Sequence, residues 1–147
     1  MLAGQILSNR HMKLALGVFV ALMVAFGTGW LWGSSGRWDA DRIIRAAQLR
    51  SDLFEARGSV LGARVELYNL NFGNASRHFE DAKGLLRRAA ERLNTAGQQG
   101  DAKRLDPALA RLDEAQKLAG RLDQGANTRA ADAEQTIAGV IMTVASK

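Results

Sequence analysis

Leu14 to Trp32, LALGVFVALMVAFGTGWLW, is a run of nineteen residues without a charged side chain, preceded by Arg10, His11 and Lys13. Nothing else in the chain restricts its fold as much. A helix rises about 1.5 Å per residue, so this run covers roughly 28 Å, close to the ~30 Å hydrocarbon layer of a bilayer. It therefore reads as one transmembrane helix. A cleaved secretory signal is the competing reading, but such an apolar region usually covers ~7–15 residues and ends in a small-x-small site. Here the run continues to Trp30, Leu31 and Trp32 before Gly33-Ser34-Ser35-Gly36, which favours a retained anchor.

The flanks set an orientation. Trp30, Trp32 and Trp38 are expected as interfacial anchors, because an indole combines an apolar body with one N–H that prefers the headgroup layer. Arg10 and Lys13 lie at the other end without a nearby acid, whereas the far flank mixes Arg37 and Arg42 with Asp39 and Asp41. A short basic tail stays on the cytoplasmic side, so residues 1–13 are expected in the cytoplasm and 38–147 in the periplasm of a bacterial inner membrane. Within the span, Gly17, Ala21, Ala25, Gly29 and Gly33 recur every four residues, a ladder that lets a second transmembrane helix approach closely. The lipid bilayer and other transmembrane subunits are thus the expected partners.

After a flexible joint at 33–37, the remaining ~110 residues suffice for one domain. One proline, one tyrosine and an abundance of Ala, Leu and Arg favour helix over sheet. The first helix of this domain is expected at about 38–70. Its seam runs through Ile44, Ala47, Ser51, Phe54, Gly58, Leu61, Val65 and Tyr68, in alternating steps of three and four. Arg50, Arg57 and Arg64 recur beside it, either as a basic stripe for acidic headgroups or an acidic partner, or as stems packed on the seam with salt-bridged heads. Asn71-Phe72-Gly73-Asn74 signals a turn, with Gly73 suited to positive φ and Asn74 to capping. The second helix, about 75–96, presents Ala75, Phe79, Ala82, Leu86, Ala89 and Leu93 on one face.

These two helices carry a resemblance. Leu61-Gly62 with Val65, followed by Ala75, Phe79 and Ala82, resembles the Leu-Gly-x-x-Tyr and Ala-x3-Phe-x2-Ala signature of a tetratricopeptide repeat. Val65 stands in place of the aromatic and Arg87 where the closing proline is usual. The resemblance covers about thirty residues of one copy, and since a lone repeat cannot bury its own face it implies a helical hairpin of that packing type.

Asp106-Pro107 opens a third helix, about 106–146, after the GQQGDAK loop. Its seam changes phase near Asp123 to Thr128, which a stutter and a break both explain. Its last stretch holds Ile137, Val140, Ile141 and Val144, the most apolar part of the domain, and is expected to pack on the hairpin, on a partner or on the membrane surface. The fold class is then all-α: one N-terminal transmembrane helix followed by an extracytoplasmic antiparallel three-helix bundle of coiled-coil type.

Chemistry-bearing motifs are scarce. No cysteine is present, and neither phosphate-binding loops nor nucleophile elbows nor paired metal-ligand histidines occur. His78 reads as a surface or seam residue, and His11 as part of the interfacial tail. The formal charge of +5 is spread over 20 basic and 15 acidic residues, too mixed for a nucleic-acid surface. No enzyme activity and no cofactor are expected. The role expected is that of an accessory or scaffold subunit of a larger inner-membrane complex, for example a respiratory or photosynthetic one. The alternatives are a self-associating periplasmic coiled-coil spacer or adaptor and an extracytoplasmic ligand-binding helical sensor, and a homo-oligomer is a further expected partnership.

Overall fold

A computed structural model describes the backbone of residues 3–146 and the side chains of residues 16–25 and 40–146. Five helices follow one another: α1 (Ala3–Tyr68), α2 (Phe72–Thr95), α3 (Gln99–Lys103), α4 (Asp106–Ala119) and α5 (Gly125–Ala145). No strand occurs among the described residues, so the all-helical expectation holds. The chain divides into two units, Met1–Ile44 and Arg45–Lys147.

In the first unit, the side chains described within the expected anchor are those of Leu16–Ala25, about 15 Å of helix. Among the described residues no helix is long and apolar enough to cross a membrane. Leu16, Val18, Phe19, Val20, Leu22 and Met23 are all exposed, as are Gly17, Ala21 and Ala25 of the small-residue ladder. The side chains of Trp30, Trp32 and Trp38, and the ladder positions Gly29 and Gly33, lie outside the described residues. So does the side chain of His11. Where a joint was expected at 33–37 the backbone is helical, and α1 has no break before Tyr68. A glycine weakens a helix by about 1 kcal/mol without ending it, so a short Gly-Ser segment between strong helix formers can stay helical.

The second unit is a ring of four helical segments rather than the expected three. The Asp52 carboxylate of α1 takes Arg92 of α2 at 2.7 Å, and Lys83 of α2 reaches Asp113 of α4 at 2.9 Å. Arg111 of α4 pairs with Asp132 of α5 at 2.6 Å, and Arg57 of α1 with Glu134 of α5 closes the ring. Paired positions run in opposite senses at every side of the ring: Asp52–Arg92 with Gly62 beside His78, Ser76–Gln116 with Lys83–Asp113, Arg111–Asp132 with Glu114–Arg129, Arg57–Glu134 with Arg64–Asn127. Neighbouring helices are therefore antiparallel, in up-down-up-down order.

A heptad repeat of alanine explains the close packing. Ala56 and Ala63 on α1, Ala75, Ala82 and Ala89 on α2, Ala108 and Ala115 on α4, and Ala126 and Ala133 on α5 are all fully buried. Between them stand larger residues, among them Leu53, Val60, Phe79, Leu86, Leu112 and Ile137, none of them exposed at all. In the antiparallel register of the ring, small residues stand opposite large ones, Ala56 and Ala108 level with Leu86 and Ala63 and Ala115 level with Phe79, so side chains of facing helices interdigitate.

The phase change after α4 is a break. α4 ends in a turn in which Leu122 N–H donates to Ala119 O and Asp123 N–H to Leu118 O, with Leu122 at φ 58°. The hairpin turn after α1 is built the same way: Leu70 has φ 57°, and Asn71 N–H donates to Glu66 O at 2.8 Å. Gly97, at φ 75°, makes the same closure after α2. Two leucines thus occupy the left-handed position that glycine fills at least cost. The turn signal at residues 71–74 is accordingly corrected: Leu70, not Gly73, carries the positive φ, and Asn71, not Asn74, is the cap, accepting from Asn74 N–H. The GQQGDAK loop holds the short helix α3, which brings Ala102 into the core ahead of Leu105.

Candidate functional site

The expected seam of the first helix does not face the core. In the second unit α1 buries Leu49, Leu53, Ala56, Val60, Ala63 and Leu67, whereas Phe54, Leu61, Val65 and Tyr68 are 55%, 41%, 58% and 73% exposed. At 100° per residue these two sets lie on nearly opposite sides of the helix. Ser51 and Gly58, interleaved with the outer set, are exposed too. In the first unit, Ile44 is 52% exposed. The physical reason is that both faces have helical spacing. The leaner one wins the core because its alanines leave room for Leu86 and Phe79 of α2, which stand level with Ala56 and Ala63, while the bulkier one would hold those helices apart.

The expected residues of α2 sit differently. Phe79, Leu86 and Leu93 are fully buried, with Ala75, Ala82 and Ala89 between them. The repeat-like signature is therefore divided: its α2 half packs in the core, while Leu61 and Val65 of its α1 half are on the outer face. Gly62 does meet α2, since a Cβ placed there would come within 3.3 Å of the His78 ring. His78 is thus a half-buried residue packed beside that glycine.

The apolar end of α5 closes largely on its own bundle. Ile137 is fully buried and Val140 nearly so, while Ile141 and Val144 pack at the margin of the core. With Arg50, Leu53, Phe54 and Ala145, Ile141 and Val144 line a shallow open cleft between α1 and α5. Phe54 therefore joins the outer stripe of α1 to the end of α5, and the uncovered apolar surface is wider than one helix.

Charge borders the stripe with opposite signs. Arg50, Arg57 and Arg64 lie along one edge, and Glu55, with Glu66 behind it, along the other. Arg57 is held by Glu134, and Arg64 Nε donates to Asn127 Oδ1 at 2.9 Å, so two of the three arginines tie α1 to α5. Among the described residues no hydrogen bond or ion pair holds the side chain of Arg50, which lines the cleft. Glu55 accepts from Ser51 Oγ at 2.8 Å. The sequence marks the basic edge by its seven-residue recurrence; the acidic edge becomes evident only once the stripe is known to face outward.

Elsewhere the polar groups serve the bundle. Lys83 is nearly buried on α2, donates to Asp113 Oδ1 at 2.9 Å and Gln116 Oε1 at 2.7 Å, and pairs with Glu80 at 3.0 Å. Burial alone would lower its pKa; the bonds to Asp113 and Glu80 outweigh that and hold it above the ordinary lysine value. Among the described residues no buried side-chain nitrogen or oxygen lacks a hydrogen bond, and no three His, Cys, Asp or Glu side chains are placed to hold a metal ion. The arrangement offers surface for contact with another macromolecule. Compared with protein-family models, curated proteins and solved structures, the chain matches none.

Proposed function

We propose that this chain is a membrane-anchored, non-catalytic interaction subunit, an accessory or scaffold component of a larger inner-membrane assembly. Residues 14–32 form the anchor, residues 1–13 stay in the cytoplasm and the helical bundle stands in the periplasm. The uncharged run itself supports the anchor: its described side chains from Leu16 to Met23 are uncovered, and large apolar side chains left in water forgo about 1.5–3 kcal/mol each. Gly17, Ala21 and Ala25 support docking against another transmembrane helix, since Gly17 has open space around it.

The observation that carries the interaction role is the outer face of α1. Phe54, Leu61, Val65 and Tyr68 form an apolar stripe on the side away from the core, which no fold requirement of the bundle explains. Native membranes carrying the tagged chain, extracted in mild detergent and sized, should show it co-migrating in fixed ratio with other membrane proteins. Gly17→Ile with Ala21→Ile should reduce that co-migration while leaving the chain resistant to alkaline carbonate extraction. Release of the wild-type chain by carbonate would overturn the anchor. Migration without any other protein species would overturn the accessory role.

A further inference from the structure

Resting on the membrane-anchored reading, we infer that the outer stripe of α1 is covered by the same stripe of a second copy of this chain, the two helices lying parallel. In heptad terms Ser51, Gly58 and Val65 occupy one apolar position of the stripe, and Phe54, Leu61 and Tyr68 the other. Arg50, Arg57 and Arg64 precede the first position, and Glu55, Gly62 and Asn69 follow the second. In a parallel pair the two edges of opposite character face each other, so Arg50 of each copy meets Glu55 of the other. In an antiparallel pair the basic edges meet, placing Arg57 against Arg57 and Arg50 against Arg64. The edges therefore fit a second copy in one orientation and oppose it in the other.

Packing permits the approach. A Cβ at Gly58 would touch nothing within 4 Å, so the middle of the stripe is open to a neighbouring backbone. The four large side chains expose together about 400 Å² by their size and fractional exposure, roughly half the ~800 Å² per partner of a stable interface. Such a contact is weak between freely diffusing molecules. Two chains anchored in one membrane are confined side by side and already parallel, which raises their effective concentration toward the millimolar range for short tethers. The dimer is thus a property of the anchored chain.

Because the chain has no cysteine, single-cysteine variants report this contact without background. Full-length Ser51→Cys and Gly58→Cys, each alone, should form a disulfide-linked dimer on mild oxidation in native membranes, and Glu91→Cys, exposed on α2, should not. Arg50→Glu added to Gly58→Cys should cut the yield several-fold, and Glu55→Arg added to that pair should restore it. A dimer from Gly58→Cys but not Ser51→Cys would show antiparallel or lateral contact and overturn the inference. Equal yields at all three positions, or none at any, would overturn it as well. Carbonate extraction of the same membranes keeps the outcomes apart: a retained chain without these cross-links leaves the anchored reading standing and removes the homodimer, whereas a released chain removes the anchor itself.

Discussion

The two apolar faces of α1 differ in content and in fate. The inner face, with Leu53, Ala56, Val60 and Ala63, carries less apolar bulk yet is fully buried; the outer one, with Phe54, Leu61, Val65 and Tyr68, carries more and remains uncovered. Bulk alone does not select a core face. What selects it is fit to the partner surface, and every other long helix of the bundle offers alanine at seven-residue intervals. A bulky face left outside is then surface available for a different contact.

The sharpest test of this comparison is truncation on either face of α1. Leu53→Ala should destabilise the bundle by about 2–5 kcal/mol, the range for a fully buried leucine that leaves a cavity. Tyr68→Ser, on the outer face, should change it by less than about 0.5 kcal/mol. Equilibrium denaturation in detergent micelles reads both, and comparable losses would break the distinction between the faces.

The end of α1 tests it at closer range. Leu67 points inward and is 4% exposed, whereas Leu70 is 62% exposed at a left-handed φ. Leu70→Gly should stabilise by about 1 kcal/mol, because little burial is lost and the left-handed penalty for a side chain is removed. Leu122→Gly should do the same, its side chain being 69% exposed at φ 58°. A thermal melt of each variant checks the sign.

Glycines sharpen the comparison further. Gly58→Ala on the outer face should gain somewhat under about 1 kcal/mol from helix propensity alone. Gly62→Ala should gain less, since the added methyl presses on the His78 ring, and His78→Ala in the same chain should recover the difference. Equal gains at both glycines would show that α1 and α2 are less closely packed at that point.

The smallest effect concerns charge on a buried face. Lys83 has a folded pKa above its ordinary 10.5, so its contribution is fully present below that value and is lost as pH rises through the folded one. The stability difference between wild type and Lys83→Met should therefore be flat from neutral pH to about 10.5 and shift against the wild type above it. Denaturant midpoints measured across that range check the direction.

Much of the architecture was legible in the sequence. Spacing located α2 and its buried face, from Ala75 through Phe79 to Leu93, because a single apolar face leaves no choice. It failed on α1, where two faces share the same period and the more aromatic one drew the assignment. The count of helices failed at Leu122 for a related reason: a leucine in a left-handed turn sends no signal in the code of glycines and prolines that marks helix ends. The two outcomes left open near Asp123 could be separated only by the hydrogen bonds closing on Leu118 and Ala119. For the interaction surface, the arginine edge was visible and its function was not, because outward facing had to be established first.

The ion pairs that close the ring have one more consequence. A core in which alanine and larger residues recur every seven positions is nearly symmetric to sliding one helix by seven residues along its neighbour, so the apolar pattern itself says little about register. Asp52, Arg88 and Arg92 do not repeat at that interval: Arg45 and Ser59 flank Asp52 at seven residues, and Leu85 and Gln99 flank Arg92. The three charges act as unique marks on an otherwise periodic ruler, contributing information about alignment more than energy.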